Sequence, residues 1–364
     1  MPSLPTSKAQ SDPEIQAIDA LFEQAGLVRN MRGKGAGVLR RSRNRIERGG
    51  PDELPQPPVP RVAPNGVEWL SVPAWEKPGS RTKNWLWHGF STRKGGLSRA
   101  YCAEDAPGEM NLGFTEVDDR EAVAGNRRLL AEAVTGDADT PLVTIRQIHS
   151  SVLVLCGERD PVRKNPCKGD GLMTDRPGLL LGVQTADCIP VLVADRKRRA
   201  VAAFHAGWRG TVKRIVETGV GRMRIEFGSR PEDLIAAIGP GIGPCCYSVG
   251  EEVLSSFESQ FIYSRELIRE VYSTDAVRTK YPMLFLTQRA PGHSPIGPSL
   301  HLNLIEANRR QLVDAGLSAR SIQVVGGCTN CHTDLFFSHR ASKGHAGRMM
   351  SVIGIRPAVP RKGS

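Results

Sequence analysis

No apolar run in the chain approaches the ~18 residues that a bilayer-crossing helix needs, so a protein built on such helices is excluded. The opening residues, MPSLPTSKAQ, lack the basic-then-apolar pattern of an export leader, and export is not expected. Without export, the eight cysteines read as thiols, ligands or core residues rather than as a disulfide framework. No internal repeat is present, which removes solenoids and propellers. The pattern C-x-x-C occurs once, at Cys328–Cys331, with no second copy, and this argues against a four-cysteine zinc site. The following His332 completes C-x-x-C-H, but attachment of a c-type haem requires export. A structural or site-wall role is the expectation for this segment. Cys245 and Cys246 are expected simply to line the Gly/Pro turn that precedes them.

What is present is an ordinary globular balance, 40% apolar and 24% charged residues in 364. At roughly 100–200 residues per domain, that length allows one large domain or two. The net charge of +11 is unevenly spread. Between Val28 and Gly50 eight basic residues stand against Glu47 alone, and Arg356, Arg361 and Lys362 follow near the end. The basic character therefore sits in flanking segments and says little about the central chemistry. Residues 28–50 are the one place where nucleic acid could bind; a solvated extension is the expectation.

Three regions separate by composition. Residues 1–66 start with an amphipathic helical pattern, Asp12 as N-cap, Pro13, then Ile15, Ile18, Leu21, Phe22 and Ala25 up to Gly26. The basic stretch and a proline-rich linker, PDELPQPPVPRVAPNG, complete a flexible extension. Residues 67–358 alternate short apolar strands with helices, and 359–364 form a tail. Segments 179–184, 189–194, 200–205 and 234–239 read as buried strands. Val212, Ile215, Val216, Val220, Met223 and Phe227 recur at helical spacing, as do Leu304, Ala307, Asn308, Gln311 and Leu312 within a helix from Leu302 to the stop at Gly316. The close-set strands at 179–205 suggest antiparallel hairpins. The fold class is α/β, with α+β mixed sheets and flanking helices in a single domain.

Three segments each place one metal-ligating side chain at the end of an apolar strand: RQIHS with His149, QTADCIP with Cys188 and AAFHAGWRGT with His205. Two imidazoles and a thiolate with an open fourth position suit a catalytic zinc. Blue-copper sites also use two His and one Cys, with a weak axial Met. A multicopper oxidase further needs paired histidines, and no His-x-His occurs among the eight in this chain. Asp187 is either a group that orients a ligand or a strand-end acid. Trp208 is read as packing, with stacking on a substrate as the alternative.

Taken together, HGFSTRKGGLS (88–98), NLGF (111–114), NRRLL (126–130), QIH (147–149), KGDGLMT (168–174), QTADCIPVL (184–192), HAGWRGT (205–211), IGPGIGPCCYSVG (238–250), LNL (302–304) and CTNCHTDLFFSHR (328–340) resemble the YfiH/laccase-domain family. Its members are called multicopper polyphenol oxidases or purine nucleoside phosphorylases. The resemblance implies a single YfiH-like domain of the cytotoxic necrotizing factor-like type, with the metal held by His149, Cys188 and His205, which also carry the catalysis. It implies phosphorolysis of adenosine, inosine, guanosine and methylthioadenosine, and deamination of adenosine. Zinc lowers the pKa of bound water toward ~7 and so suits hydrolytic attack on a purine. The nucleobase-deaminase pattern H-x-E with P-C-x-x-C is absent.

For phosphorolysis a cation must hold phosphate beside the ribose. Arg209, and Arg93 with Lys94 in the STRKGG loop, are the candidates, with Asn111 as a further substrate-binding residue. The expected partners are purine nucleosides and phosphate in the cytoplasm, with Zn2+ as cofactor and Cu2+ as the alternative. Two alternative functions are a copper-dependent polyphenol oxidase and a peptidoglycan-editing factor. Loops 99–110 and 285–300 are expected to form pocket walls.

Overall fold

The computed structural model describes residues 54–157, 166–272, 280 and 298–358. The helical pattern at 12–26, the basic stretch, the tail from 359 and most of the 285–300 loop lie outside the described residues.

The fold is mixed α/β. A first six-stranded sheet runs, edge to edge, Arg61–Val62, Glu68–Leu70, Leu86–Ser91, Met349–Ile355, Leu180–Thr185 and Leu142–Thr144, with only the last pair parallel. A second runs Ile322–Val324, Leu234–Ile238, Ile189–Asp195, Val201–Ala206, Gly171–Thr174 and Leu153–Leu155, parallel at its two edges and antiparallel within. Ser248–Val249, Ser299–Leu302 and Ile268–Val271 form a small third sheet.

The two large sheets face each other. Leu181, Val183 and Ile353 of the first pack against Leu192, Ala194, Val201 and Ala203 of the second. Because side chains alternate along a strand, the neighbours of these residues point outward to helices. Val191, Val193, Ala202 and Phe204 meet helices Ile215–Phe227 and Leu304–Asp314. Leu180, Met350 and Val352 meet helix Arg120–Thr135 through Leu130 and Ala131. Strands covered on both faces carry unbroken apolar runs, which is why 189–194 and 200–205 stand out in the sequence. The helix contact is tight: a Cβ at Gly219 would lie 2.3 Å from the Phe204 ring.

Three sequence expectations change. Segments 189–194 and 200–205 do form a hairpin, with Val191 opposite Phe204. Segment 179–184 instead belongs to the other sheet, beside Met349–Ile355. The helical pattern starting at Val212 is two helices, Trp208–Val212 and Ile215–Phe227, broken where Arg214 takes a left-handed φ of 58°. Finally, the ordered domain starts before residue 67. Arg61–Val62 pairs with Glu68–Trp69, and the Pro55 carbonyl accepts from the Gly327 N–H at 3.0 Å.

Candidate active site

The chain steps from the first large sheet to the second across Ala186, Asp187 and Cys188, between strands Leu180–Thr185 and Ile189–Asp195. Asp187 makes the step with φ 87°, a conformation that costs a non-glycine residue of order 1 kcal/mol or more. It is held by two contacts from the C-terminal segment. Thr329 Oγ1 donates to Asp187 Oδ1 at 2.6 Å, and the Arg340 N–H donates to Oδ2 at 2.7 Å. His205, near the end of strand Val201–Ala206, lies opposite Pro190 and so beside Cys188. His149, also left-handed at φ 55°, comes from the loop after strand Leu142–Thr144. Gln147 fastens that loop, donating to the Gln184 carbonyl at 2.8 Å and accepting from the Gln184 N–H at 2.7 Å.

The ligand atoms of His149, Cys188 and His205 lie within 4.8 Å of one another. Cys188 Sγ is 3.8 Å from His149 Nε2, and the two imidazoles meet edge to face with centroids 4.9 Å apart. Space is tight behind them. A Cβ at Gly207 would sit 2.9 Å from the Cys188 sulfur and 3.0 Å from His149 Cδ2, so glycine is required there by packing.

One carboxylate organises this group. Asp170, fully buried, accepts from His205 Nδ1 at 2.9 Å, from the His149 N–H at 3.0 Å, and from the Ser150 N–H and Oγ at 2.6 Å each. Fixing Nδ1–H on Asp170 leaves His205 Nε2 as the free donor atom. Burial alone would raise the Asp170 pKa, but the hydrogen bonds from His205 and Ser150 outweigh it and hold the carboxyl well below the usual range. His205 shows the converse. Burial pulls it down, yet the Cys188 charge and the Asp170 hydrogen bond raise it to about 9. Cys188 is lowered to about 6, its burial overcome by the charge of His205 and the hydrogen bond from His149. Two imidazole nitrogens and a readily ionised thiol with one side open fit a borderline-soft divalent ion.

The group opens into a cleft of about 640 Å³, within the range of small-molecule sites. Arg146, Arg209, Arg340 and Arg348 line it, with Asp187 as the one lining carboxylate, and among the described residues none of the four arginines is ion-paired. Tyr247 also lines it. Burial and the Cys188 charge push its phenol pKa up, so it stays a hydroxyl donor.

Of the residues singled out from the sequence, His149, Cys188, His205 and Arg209 converge here. The Arg209 guanidinium lies 4.3 Å over the Trp208 ring, which shields that face of the indole. Arg93 and Lys94 do not line the cleft. Arg93 pairs with Glu109 at 2.6 Å, donates to the Thr333 carbonyl and stacks on Phe337, a structural clamp. Asn111 is buried one step back, its Oδ1 accepting from the Arg348 N–H at 2.8 Å. Asp187 anchors the C-terminal segment, and the carboxylate that orients a ligand is Asp170 instead. Loop 99–110 contributes nothing to the cleft; Tyr101 packs it on Phe337 and His345. The roles of Asp170 and Tyr247 escaped sequence reasoning, although both stand in motifs, KGDG and PCCY, that mark them.

Residues 87–356 match the family model described as "Multi-copper polyphenol oxidoreductase laccase". Among curated relatives, a protein of Bacteroides thetaiotaomicron named purine nucleoside phosphorylase is 33% identical over 74% of this chain and 91% of its own. A protein of an unknown prokaryotic organism named adenosine deaminase is 32% identical over 72% and 92%. Among solved structures, YlmD from Geobacillus stearothermophilus is similar at TM-score 0.64 and 30% identity, covering 83% of this chain and all of that one.

Proposed function

Since the chain belongs to this laccase-described family, we propose that it is a zinc-dependent purine nucleoside enzyme, both glycosyltransferase and hydrolase. Its reactions are phosphorolysis of adenosine, inosine, guanosine and methylthioadenosine, and deamination of adenosine, in a cytoplasmic setting. The names of its relatives support purine nucleosides as the substrate class. The observation that carries the reading is the three-donor set of His149, Cys188 and His205 opening into a cleft lined by four arginines.

His149, Cys188 and His205 would hold the zinc ion, which would supply Lewis-acid chemistry for activating water or a polar substrate atom. The protein's own residues do the rest. Asp170 keeps His205 turned with Nε2 toward the cleft and fixes the backbone of His149. In phosphorolysis, Arg209, with Arg340 and Arg348 of the same cleft lining, takes the dianionic phosphate. One phosphate oxygen bonds to C1′ as the C1′–N9 bond breaks, and the electron pair leaves with the base. Guanidinium groups both position the nucleophile and keep its charge close to the oxocarbenium-like centre. The Tyr247 hydroxyl donates to an acceptor on the ribose or base. In deamination, water adds at C6 and ammonia leaves, converting adenosine to inosine.

Copper-dependent phenol oxidation uses a similar donor set, but among the described residues no methionine lines the cleft to serve as an axial ligand. A nucleoside panel run with and without phosphate, resolved by chromatography alongside metal analysis, tests the proposal. Phosphate-dependent release of base with ribose 1-phosphate, ammonia from adenosine, and a zinc content lowered by about one per chain on His205→Ala are expected. Full activity in a His149→Ala/Cys188→Ala/His205→Ala variant, which lacks all three donors of this site, overturns it. Oxygen uptake with bound copper points to the oxidase, and muropeptide binding without base or ammonia release to a peptidoglycan-editing factor.

A further inference from the structure

A second cluster of soft ligands lies on segments that also carry the cleft-lining residues Ile242, Tyr247 and Arg340. The sulfurs of Cys245, Cys246, Cys328 and Cys331 are within 4.8 Å of one another, and all four cysteines are free. Cys331 Sγ lies 3.5 Å from Cys245 Sγ and 3.4 Å from Cys246 Sγ. A tetrahedral zinc with Zn–S of about 2.3 Å sets its sulfurs roughly 3.8 Å apart, close to this spacing. A disulfide instead requires about 2.05 Å.

Two turns present the ligands. In the first, the N–H groups of Cys246 and Tyr247 donate to the Gly243 carbonyl at 3.0 and 2.9 Å, and His301 Nδ1 holds the Pro244 carbonyl at 2.7 Å. In the second, the N–H groups of Cys331 and His332 donate to the Cys328 carbonyl at 3.1 and 3.0 Å. A parallel bridge between Gly241 and Cys328 sets the turns opposite each other. The Gly243 N–H points at Cys328 Sγ at 3.2 Å, the backbone donor that a bound thiolate uses. The Cys245 thiol and the N–H groups around Cys328 lower its pKa to about 5. Burial and the neighbouring sulfur raise Cys246 to about 12.

We propose that Cys245, Cys246, Cys328 and Cys331 bind a structural zinc ion, which clasps the segment carrying Ile242 and Tyr247 to the segment carrying Thr329 and Arg340. Binding displaces the thiol protons and forms four Zn–S bonds, with no change of oxidation state. The ion joins both segments that brace Asp187: Ile242 N–H donates to its carbonyl at 2.8 Å and Thr329 to its carboxylate. The assignment stands on the four sulfurs alone and is independent of the nucleoside reading.

The test uses the full chain purified under reducing conditions. A Cys188→Ala/His205→Ala variant keeps about one zinc per chain, and adding Cys245→Ser and Cys331→Ser removes it. In the wild-type protein, alkylation mapped by mass spectrometry finds the exposed Cys331 protected, with labelling accelerated at least tenfold after a chelator strips the metal. Cobalt substitution gives the intense visible bands of a tetrathiolate. A folded Cys188→Ala/His205→Ala variant without zinc, equal Cys331 labelling with and without chelator, iron in place of zinc, or a mapped Cys245–Cys331 or Cys246–Cys331 disulfide overturns the proposal.

Discussion

The cluster of His149, Cys188 and His205 and the cluster of four cysteines both gather soft donors within 4.8 Å. Their surroundings differ. The first has three donors, a carboxylate behind one imidazole, two left-handed backbones and an open side facing arginines. The second has four donors of one kind, opposed by hydrogen-bonded turns, with a backbone N–H on one sulfur. Three ligands with a vacancy suit chemistry, and four without one suit architecture. The contrast teaches that the number of donors and what stands behind them assign the role, since cysteine serves in both.

Cutting the open cluster has the largest expected effect. His149→Ala or His205→Ala lowers turnover by about 10³-fold or more, the equivalent of several kcal/mol of Lewis-acid stabilisation, with the melting temperature nearly kept. A melting-temperature loss as large as that of the cysteine variants would erase the distinction between the clusters. Asp170→Asn comes next: it retains every direct donor yet lowers metal affinity or turnover about 10–100-fold, measured by metal titration and steady-state rates. The closed cluster answers in the opposite currency of measurement. Cys245→Ser with Cys331→Ser lowers the melting temperature by roughly 5–10 °C while activity falls only severalfold. Unchanged melting would show the cysteines to be bystanders.

The smallest effect sharpens the electrostatic side. In metal-stripped protein, Cys188 alkylation rises as pH passes up through about 6, because the thiolate exists above that value, instead of through the ordinary ~8.5. His205→Gln removes the positive charge that lowers this pKa and moves the midpoint upward.

The buried strands were legible because sheets covered on both faces demand apolar runs, and helix Leu304–Asp314 because its buried residues keep helical spacing. Convergence of His149, Cys188 and His205 came from matching motifs, since nothing local in the sequence says that strand ends 39 and 17 residues apart will meet. Partnering was the blind spot. Asp170 is one acid among 38 acidic residues until the fold aims five donors at it. Arg93 carries the charge that phosphate wants, but Glu109 claims it. The adjacent Cys245 and Cys246 look like turn residues because their partners arrive through a bridge between positions 241 and 328, a pairing outside any local pattern. Likewise the break at Arg214 hides inside an intact apolar period.

The three-residue step through Ala186, Asp187 and Cys188 has a consequence for how members of this family diverge. It is a tether of fixed length between two strands that are each locked into a sheet. One residue added or removed here must either slide a strand, turning its core-facing side chains outward, or swing the Cys188 sulfur away from both imidazoles. Surface loops such as 99–110 are free to lengthen without touching the cleft. The tether therefore acts as a ruler, intolerant of insertion and deletion, and its length should persist among relatives even where the residues on either side are exchanged.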